Sequence, residues 1–273
     1  IREIESPKGY VLSEEEIAVT IGKVDEVVEI ELVNYFIKGN IALTKVDEDY
    51  PDNKLSGAVF EVYSDTNGDG KLDKDDTLLG EMKELDGGVY QMSELRYGKY
   101  LVKETKAPTG FVLDENVYSV SVEENGKTYT VENKAGVGFI NAAQKGSLKI
   151  VKTSSDGKVE GFSFRVTGVD YDQTFKTDKN GEIVIEGLRI GDYTVSEVSD
   201  KASAGYILPA DKQATVKVDA TAIVQMHNEF RDTPKTGDDF NLGLWVSLAA
   251  LSVVGAGVLG FVGYKNRKKK KED

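Results

Sequence analysis

From residue 38 onward, apolar and polar positions alternate with a period of two in short runs: IALTKV (41–46), AVFEVY (58–63), KYLVKE (99–104), VYSVSV (117–122), SLKIVK (147–152), FSFRVT (162–167), EIVIEG (182–187) and DYTVSE (192–197). Gly, Asp and Asn turns separate them. Residues two apart on a strand share a face, so the runs predict half-buried strands with one apolar side, and their number and spacing predict an all-β fold. The expected architecture is a tandem array of immunoglobulin-like β-sandwich modules. VDEVVE (24–29) and the longer VVEIELVN (27–34) carry the same Val/Ile alternation and are expected as strand, not helix. A different pattern fills residues 242–264, LGLWVSLAALSVVGAGVLGFVGY, which hold no charge. A helix of that length crosses the hydrocarbon core of a bilayer, so one C-terminal transmembrane helix is expected.

The alternation repeats at a larger scale. IREIESPKGYVL (1–12) and VKETKAPTGFVL (102–113) share Glu-x-x-x-Pro-x-Gly followed by an aromatic and Val-Leu, and YTVSEVSDKASAGYILP (193–209) keeps the Glu and the Gly-Tyr without the proline between them. Each copy leads to an apolar alternation that ends in asparagine, at Asn34, Asn141 and Asn228. Lysines follow the first two asparagines at equal intervals, at Lys45 and Lys152. The chain therefore divides into the C-terminal part of one module (1–37), a whole module (38–144), a second whole module (145–231) and a C-terminal segment (232–273). The opening, IREIESPKGY, has neither a basic start nor an apolar stretch, and the expectation is that a further portion precedes it.

Three polar residues per module sit on the apolar face. Lys45 shares its face with Ile41 and Leu43, and Lys152 with Leu148 and Ile150. Glu104 lies with Tyr100 and Val102, Glu197 with Tyr193 and Val195, and Glu3 with Ile1. Asn34, Asn141 and Asn228 each end an apolar alternation. A buried lysine, glutamate or asparagine alone is costly, so the three are expected to meet. Burial drives the lysine toward the neutral amine and the glutamate toward the neutral acid. A neutral amine is a nucleophile, and an acid bonded to the carboxamide polarises its carbon and carries a proton to departing ammonia. The product is a Lys–Asn isopeptide bond. The plainer alternative is a set of hydrogen-bonded core polars.

Charge and composition narrow the function. Lys+Arg of 34 against Asp+Glu of 47 gives a net charge of −13, and six of the basic residues crowd into the tail 265–273, KNRKKKKED. The acidic body excludes nucleic acid as a partner. The tail obeys the positive-inside rule, which puts everything before Leu242 outside the cell. Cysteine is absent, so extracellular modules of this size need a staple other than a disulfide. No Ser/His/Asp set, histidine ligand cluster or phosphate loop is present, and the chain reads as a non-enzyme that needs no cofactor.

Thr233-Pro234-Lys235-Thr236-Gly237, then the apolar span, then the basic stub, resembles the sorting signal of Gram-positive wall-anchored proteins, with Thr233 where leucine is usual. The resemblance implies cleavage between Thr236 and Gly237 by sortase, passage through the membrane before sorting, and covalent attachment to peptidoglycan at the cell surface. A plain transmembrane anchor is the alternative. YLVKETKAPTGF (100–111) and its relatives make residues 1–231 resemble the collagen-adhesin B-type, prealbumin-like repeats of Gram-positive adhesins and pilins. That resemblance implies autocatalytic isopeptide bonds from two triads: Lys45, Glu104 and Asn141, and Lys152, Glu197 and Asn228. Glu3 and Asn34 are two members of a third. A structural stalk follows, with a host matrix protein as the expected partner of a region upstream. The alternatives are a wall-proximal minor pilin subunit, or the spacer and anchor of a secreted enzyme.

One insert sets the first module apart. DTNGDGKLDKDD (65–76) places oxygen ligands Asp65, Asn67, Asp69, Asp73 and Asp76 at positions 1, 3, 5, 9 and 12 of a calcium loop, with Gly70 at position 6 and the Lys71 carbonyl at position 7. Calcium is the expected ligand, and a solvated acidic hairpin loop is the alternative. The flanks AVFEVY and TLLGEM read as strands, which excludes an EF-hand pair.

Overall fold

The computed structural model describes residues 1–231; the predicted sorting signal Thr233–Gly237, the span 242–264 and the basic tail 265–273 lie outside the described residues. Ile1–Glu229 form one compact unit. Its described residues contain strands and turns and no helix, as the period-two pattern predicts.

The first whole module contains β1 (Lys38–Asp47), β2 (Val59–Ser64), β3 (Thr77–Glu81), β4 (Lys83–Glu84), β5 (Val89–Arg96), β6 (Gly98–Lys106), β7 (Val117–Val122), β8 (Thr128–Thr130) and β9 (Phe139–Asn141). One sheet runs β4-β5-β1-β8, with β9 also paired to β1, and the other runs β3-β2-β6-β7. The second module contains β10 (Lys145–Ser154), β11 (Ser163–Gly168), β12 (Tyr171–Lys176), β13 (Glu182–Arg189), β14 (Gly191–Val198), β15 (Tyr206–Ile207), β16 (Lys212–Val216) and β17 (Thr221–Phe230). Its sheets run β13-β10-β17-β15 and β12-β11-β14-β16. Each module is thus two sheets enclosing one core. The first core centres on Ile41, Leu43, Phe60, Val62, Tyr90, Val102 and Phe139, and the second on Leu148, Ile150, Phe162, Phe164, Val166, Tyr193, Val195 and Met226.

The first and last strands of each module are parallel neighbours, β1 with β9 and β10 with β17. Glycine permits close approach at the start of β1, beside the segment that leads into β8, and at the start of β10, beside the segment that leads into β17. A Cβ on Gly39 would lie 2.8 Å from the Lys127 carbonyl, and one on Gly146 would lie 2.1 Å from the Lys217 carbonyl. Each glycine also stands at the register shift near the start of its strand.

Residues 1–37 depart from the sequence expectation. VDEVVE (24–29) and VVEIELVN (27–34) form no strand; that segment has only isolated bridges, Arg2 with Glu16 and Tyr10 with Phe36. The physical reason is the lack of a paired neighbour: a strand is stabilised by its ladder and by the face it buries, and here Val24 and Val27 are 92% and 84% exposed.

Candidate functional site: the inward-facing lysine, glutamate and asparagine

Register brings the three residue types together in the same way in both whole modules. In the parallel pair β1–β9, Lys45 stands opposite Phe139 and Asp47 opposite Asn141; in β10–β17, Lys152 stands opposite Met226 and Ser154 opposite Asn228. Each asparagine therefore lies two positions beyond its lysine's partner, on the same face. From the opposite sheet, Glu104 on β6 is paired with Phe60 and Glu197 on β14 with Phe164. All six polar residues are buried, as the alternation predicts for their orientation.

In the first module the three groups touch. The Lys45 ammonium contacts Asn141 Oδ1 directly, donates to the Phe139 carbonyl at 3.3 Å and lies 3.4 Å from Glu104 Oε1. Asn141 Nδ2 donates to both Glu104 oxygens at 3.0 Å, and the Asp114 backbone N–H donates to Glu104 Oε2 at 2.8 Å. The Phe139 ring lies 4.6 Å from the amine. Burial pulls the Lys45 pKa down from 10.5 to about 8, against the opposing pull of the Glu104 charge. At pH 7 about a tenth of the amine is thus neutral, beside the carboxamide it would attack.

The second module repeats the frame with a different side-chain arrangement. Asn228 Nδ2 donates to Glu197 Oε1 at 2.7 Å, but Lys152 Nζ turns to its neighbour's carbonyl, Thr153 O, at 2.5 Å and packs over the Phe162 ring at 4.2 Å. Glu197 Oε2 and Asn228 Oδ1 are left buried without a hydrogen bond. Burial raises the Glu197 pKa, outweighing the Asn228 hydrogen bond and the Lys152 charge, and burial lowers that of Lys152. In residues 1–37, Asn34 Nδ2 donates to Glu3 Oε1 at 2.6 Å and Ser13 N–H to Glu3 Oε2 at 2.7 Å. These two bonds hold the Glu3 carboxyl below its ordinary range, Asn34 contributing most.

The backbone donors to the glutamates are the residues that sequence reasoning missed. Their signal lies in the repeats: Gly9-Tyr10-Val11-Leu12-Ser13 aligns with Gly110-Phe111-Val112-Leu113-Asp114, so Ser13 and Asp114 occupy one position. The third copy, Gly205-Tyr206-Ile207-Leu208-Pro209, puts proline there, and proline has no N–H to give. The orphaned Glu197 Oε2 is the counterpart of the oxygen that those amides satisfy.

The insert 65–76 forms a wound loop outside this site. Asp65 accepts from Gly68 N–H at 2.7 Å and Gly70 N–H at 3.2 Å, Asn67 from Asp69 N–H at 3.0 Å, and Asp69 from Lys71 N–H at 2.8 Å. Asp73 accepts from Asp75 N–H and Asp76 from Thr66 and Asp73 N–H, while Lys99 donates to the Gly68 carbonyl at 3.0 Å. Among the described residues no three carboxylates or imidazoles converge closely enough to hold a metal ion.

Comparison with known proteins places this architecture. The Bacillus anthracis TIE protein is 26% identical over 84% of this chain, with a TM-score of 0.64; the chain spans 41% of that protein's length. The minor pilin of Streptococcus agalactiae matches at 18% identity and a TM-score of 0.32, over 74% of this chain and 100% of its own. The pilus adhesin SpaC of Lactobacillus rhamnosus GG matches at 14% identity and a TM-score of 0.44, over 72% of this chain and 32% of its own. No curated protein sequence matches. The sequence model of the SpaA prealbumin-like fold domain matches residues 39–135 and again 146–230, which are the two sandwiches described above, and the chain belongs to that family.

Proposed function

We propose that this chain is the stalk of a Gram-positive surface protein, pilus-like or adhesin-like, whose modules close themselves with Lys–Asn isopeptide bonds. One observation carries the reading: a buried Lys45 amine against the Asn141 carboxamide, which is itself held by the buried Glu104 carboxyl. The reaction needs no cofactor. Neutral Lys45 Nζ attacks Asn141 Cγ, Glu104 supplies a proton to the departing carboxamide nitrogen and takes one from the attacking nitrogen, one C–N bond forms, one breaks, and one ammonia leaves. In the second module Lys152 reaches Asn228 by a side-chain rotation, since the strand register already matches.

The bond joins residues 96 apart in sequence. Closing a loop of that size stabilises the fold by about 4.7 kcal/mol in the chain-entropy description used for disulfides. It also carries tension from the first strand to the last without loading the strands between. That is the property a stalk needs, and it replaces the missing cystines. Attachment completes the reading: sortase cuts Thr233-Pro234-Lys235-Thr236-Gly237 between Thr236 and Gly237 and joins Thr236 to peptidoglycan, the segment 242–264 having held the chain in the membrane. Calcium is the ligand proposed for the loop 65–76. The loop is wound around Asp65, and binding draws its carboxylates inward from the hydrogen bonds described above.

The test is the intact mass of the full chain under denaturing conditions. A deficit of two ammonia molecules is expected, with one restored by Lys45→Ala and the other by Lys152→Ala. A mass equal to that calculated from the sequence overturns the cross-linking reading.

A further inference from the structure

The ends of the modules meet in a joint that occurs twice, bond for bond. At the end of residues 1–37, Ile37 N–H donates to Gly9 O at 2.8 Å and Val11 N–H to Tyr35 O at 2.8 Å, and from the first module Tyr97 N–H donates across to Ile37 O at 2.9 Å. At the end of the first module, Gln144 N–H donates to Gly110 O at 2.8 Å and Val112 N–H to Ala142 O at 2.9 Å, and from the second module Ile190 N–H donates across to Gln144 O at 3.1 Å. An arginine from the β5–β6 or β13–β14 turn completes each joint. The Arg96 guanidinium lies 3.9 Å from the Phe36 ring centre, and that of Arg189 lies 4.9 Å from Tyr50. Tyr100 and Tyr193 hydroxyls, donating to the carbonyls of Arg96 and Arg189 at 2.6 and 2.8 Å, fix the two turns.

At the second joint Arg189 goes further. It forks onto both oxygens of Asp47 at 2.6 and 2.8 Å and reaches Asp49 at 3.0 Å, where Lys145 also arrives at 3.2 Å. The Asp47 side chain is 3% exposed and that of Arg189 15%, so this is a desolvated pair, not a surface one. Burial alone would raise the Asp47 pKa; the Arg189 hydrogen bonds and charge, together with backbone N–H bonds from Asp49 and Tyr50, outweigh it and hold the carboxylate below its ordinary range. A planar guanidinium gripping a carboxylate at two points and lying over an aromatic ring fixes orientation as well as distance.

We propose that Asp47, Asp49 and Tyr50 form a socket for the arginine turn of the following module, and that this latch makes residues 38–144 and 145–231 a rigid rod. The second module has no such socket. Four positions after its lysine, where the first module has Asp49, stands Asp156, and both its oxygens accept from the Tyr206 hydroxyl at 2.8 Å. Tyr206 occupies the repeat position of Phe111, which has no hydroxyl, and Ser154 stands where Asp47 does. The first module's end is thus built to receive a neighbour, and the second module's end fills its own acid.

The chain has no cysteine, so one introduced on each module, Lys83→Cys and Thr174→Cys at exposed positions, allows clean spin labelling of the full chain. The width of the inter-label distance distribution is read by pulsed dipolar spectroscopy. A single narrow peak is expected, broadened about twofold by Arg189→Ala, because modules without a strong interface move relative to one another. Arg189→Lys keeps the charge and loses the fork, and an intermediate width is expected. A broad distribution in the parent chain, or widths unchanged in both variants, overturns the latch. An unchanged far-UV circular dichroism spectrum in the variants shows that their modules have folded.

Discussion

The two whole modules share strand register, glycine placement and the positions of all three inward polar residues, yet only the first brings its lysine to its asparagine. The two glutamates differ at one aligned backbone position. Glu104 accepts the Asp114 amide at Oε2 and Asn141 Nδ2 at both oxygens, and its Oε1 faces Lys45. Glu197 has Pro209 at the aligned position and keeps an unsatisfied oxygen. A carboxylate with its charge half-supported draws an ammonium less well, and Lys152 turns to a carbonyl and an aromatic ring instead. The comparison teaches that strand register places such a triad and that the two acids differ in the backbone donor behind them.

The largest effect that separates the modules comes from removing the nucleophile. Lys45→Ala forfeits the covalent loop closure, about 4.7 kcal/mol, and in chains not yet cross-linked it leaves the Glu104 carboxyl buried without its cation. Lys152→Ala forfeits the second bond but removes no ion pair within 4 Å in the uncross-linked frame, so its loss is expected to be smaller. Urea unfolding of the two variants, followed by a tryptic readout of each module, ranks them. Equal losses would break the comparison.

Exchanging the backbone donors sharpens it. Asp114→Pro removes the amide that donates to Glu104 Oε2 and leaves that oxygen the Asn141 bond alone, an expected cost of about 1 kcal/mol for one lost hydrogen bond. Pro209→Ser is expected to do the reverse in the second module: the restored N–H lowers the Glu197 pKa, which burial now raises. Carboxyl carbon chemical shifts followed against pH read this directly. A Glu197 titration that does not move in Pro209→Ser removes proline from the explanation.

The pH dependence follows from Lys45. Its folded-state pKa is lowered to about 8 from 10.5, so the reactive neutral fraction grows as pH rises to about 8 and then levels. The rate of ammonia loss in the first module is expected to fall about tenfold per pH unit below that point. Stability before cross-linking has a matching sign. Between about 8 and 10.5 the unfolded chain binds the proton that the folded one has shed, so stability rises with pH across that window, and below about 8 the burial penalty is complete. Newly translated chain, moved to buffers of graded pH and quenched in acid denaturant for mass measurement, gives the rates. A flat profile from pH 6 to 9 would exclude the neutral amine as the limiting species.

Much of this was legible in the sequence, for a physical reason: on a strand, orientation is set by parity alone, so Ile41-Leu43-Lys45 and Tyr100-Val102-Glu104 declare an inward lysine and glutamate. The strand expectation for 24–34 failed because alternation describes a face without providing a sheet to bury it. Parity is equally silent on rotamers, which is why Lys152 reads like Lys45 and behaves differently. The Arg189 socket was hidden because Asp47 is 142 residues away and looks like an ordinary turn acid. The consequence of Pro209 was visible only once Asp114 had been seen to donate.

The insert 65–76 gives the smallest expected difference between the modules, since only the first has one. Its ligand spacing fits a calcium loop, while its carboxylates accept hydrogen bonds from the loop's own amides and Lys99 holds the Gly68 carbonyl. Binding must therefore reorganise side chains beside the Lys99 ammonium, which places the affinity at the weak, extracellular end, roughly 0.1–1 mM. At tenfold excess over the dissociation constant, the ion stabilises the first module by about 1.4 kcal/mol and the second by nothing. Calorimetry with calcium and with chelator is expected to move one transition by a few degrees, and Asp65→Ala, which removes the carboxylate around which the loop is wound, is expected to abolish the shift. A first-module transition indifferent to calcium in the parent chain makes the insert an ordinary acidic hairpin, and the contrast between the modules then rests on the backbone donor behind each glutamate.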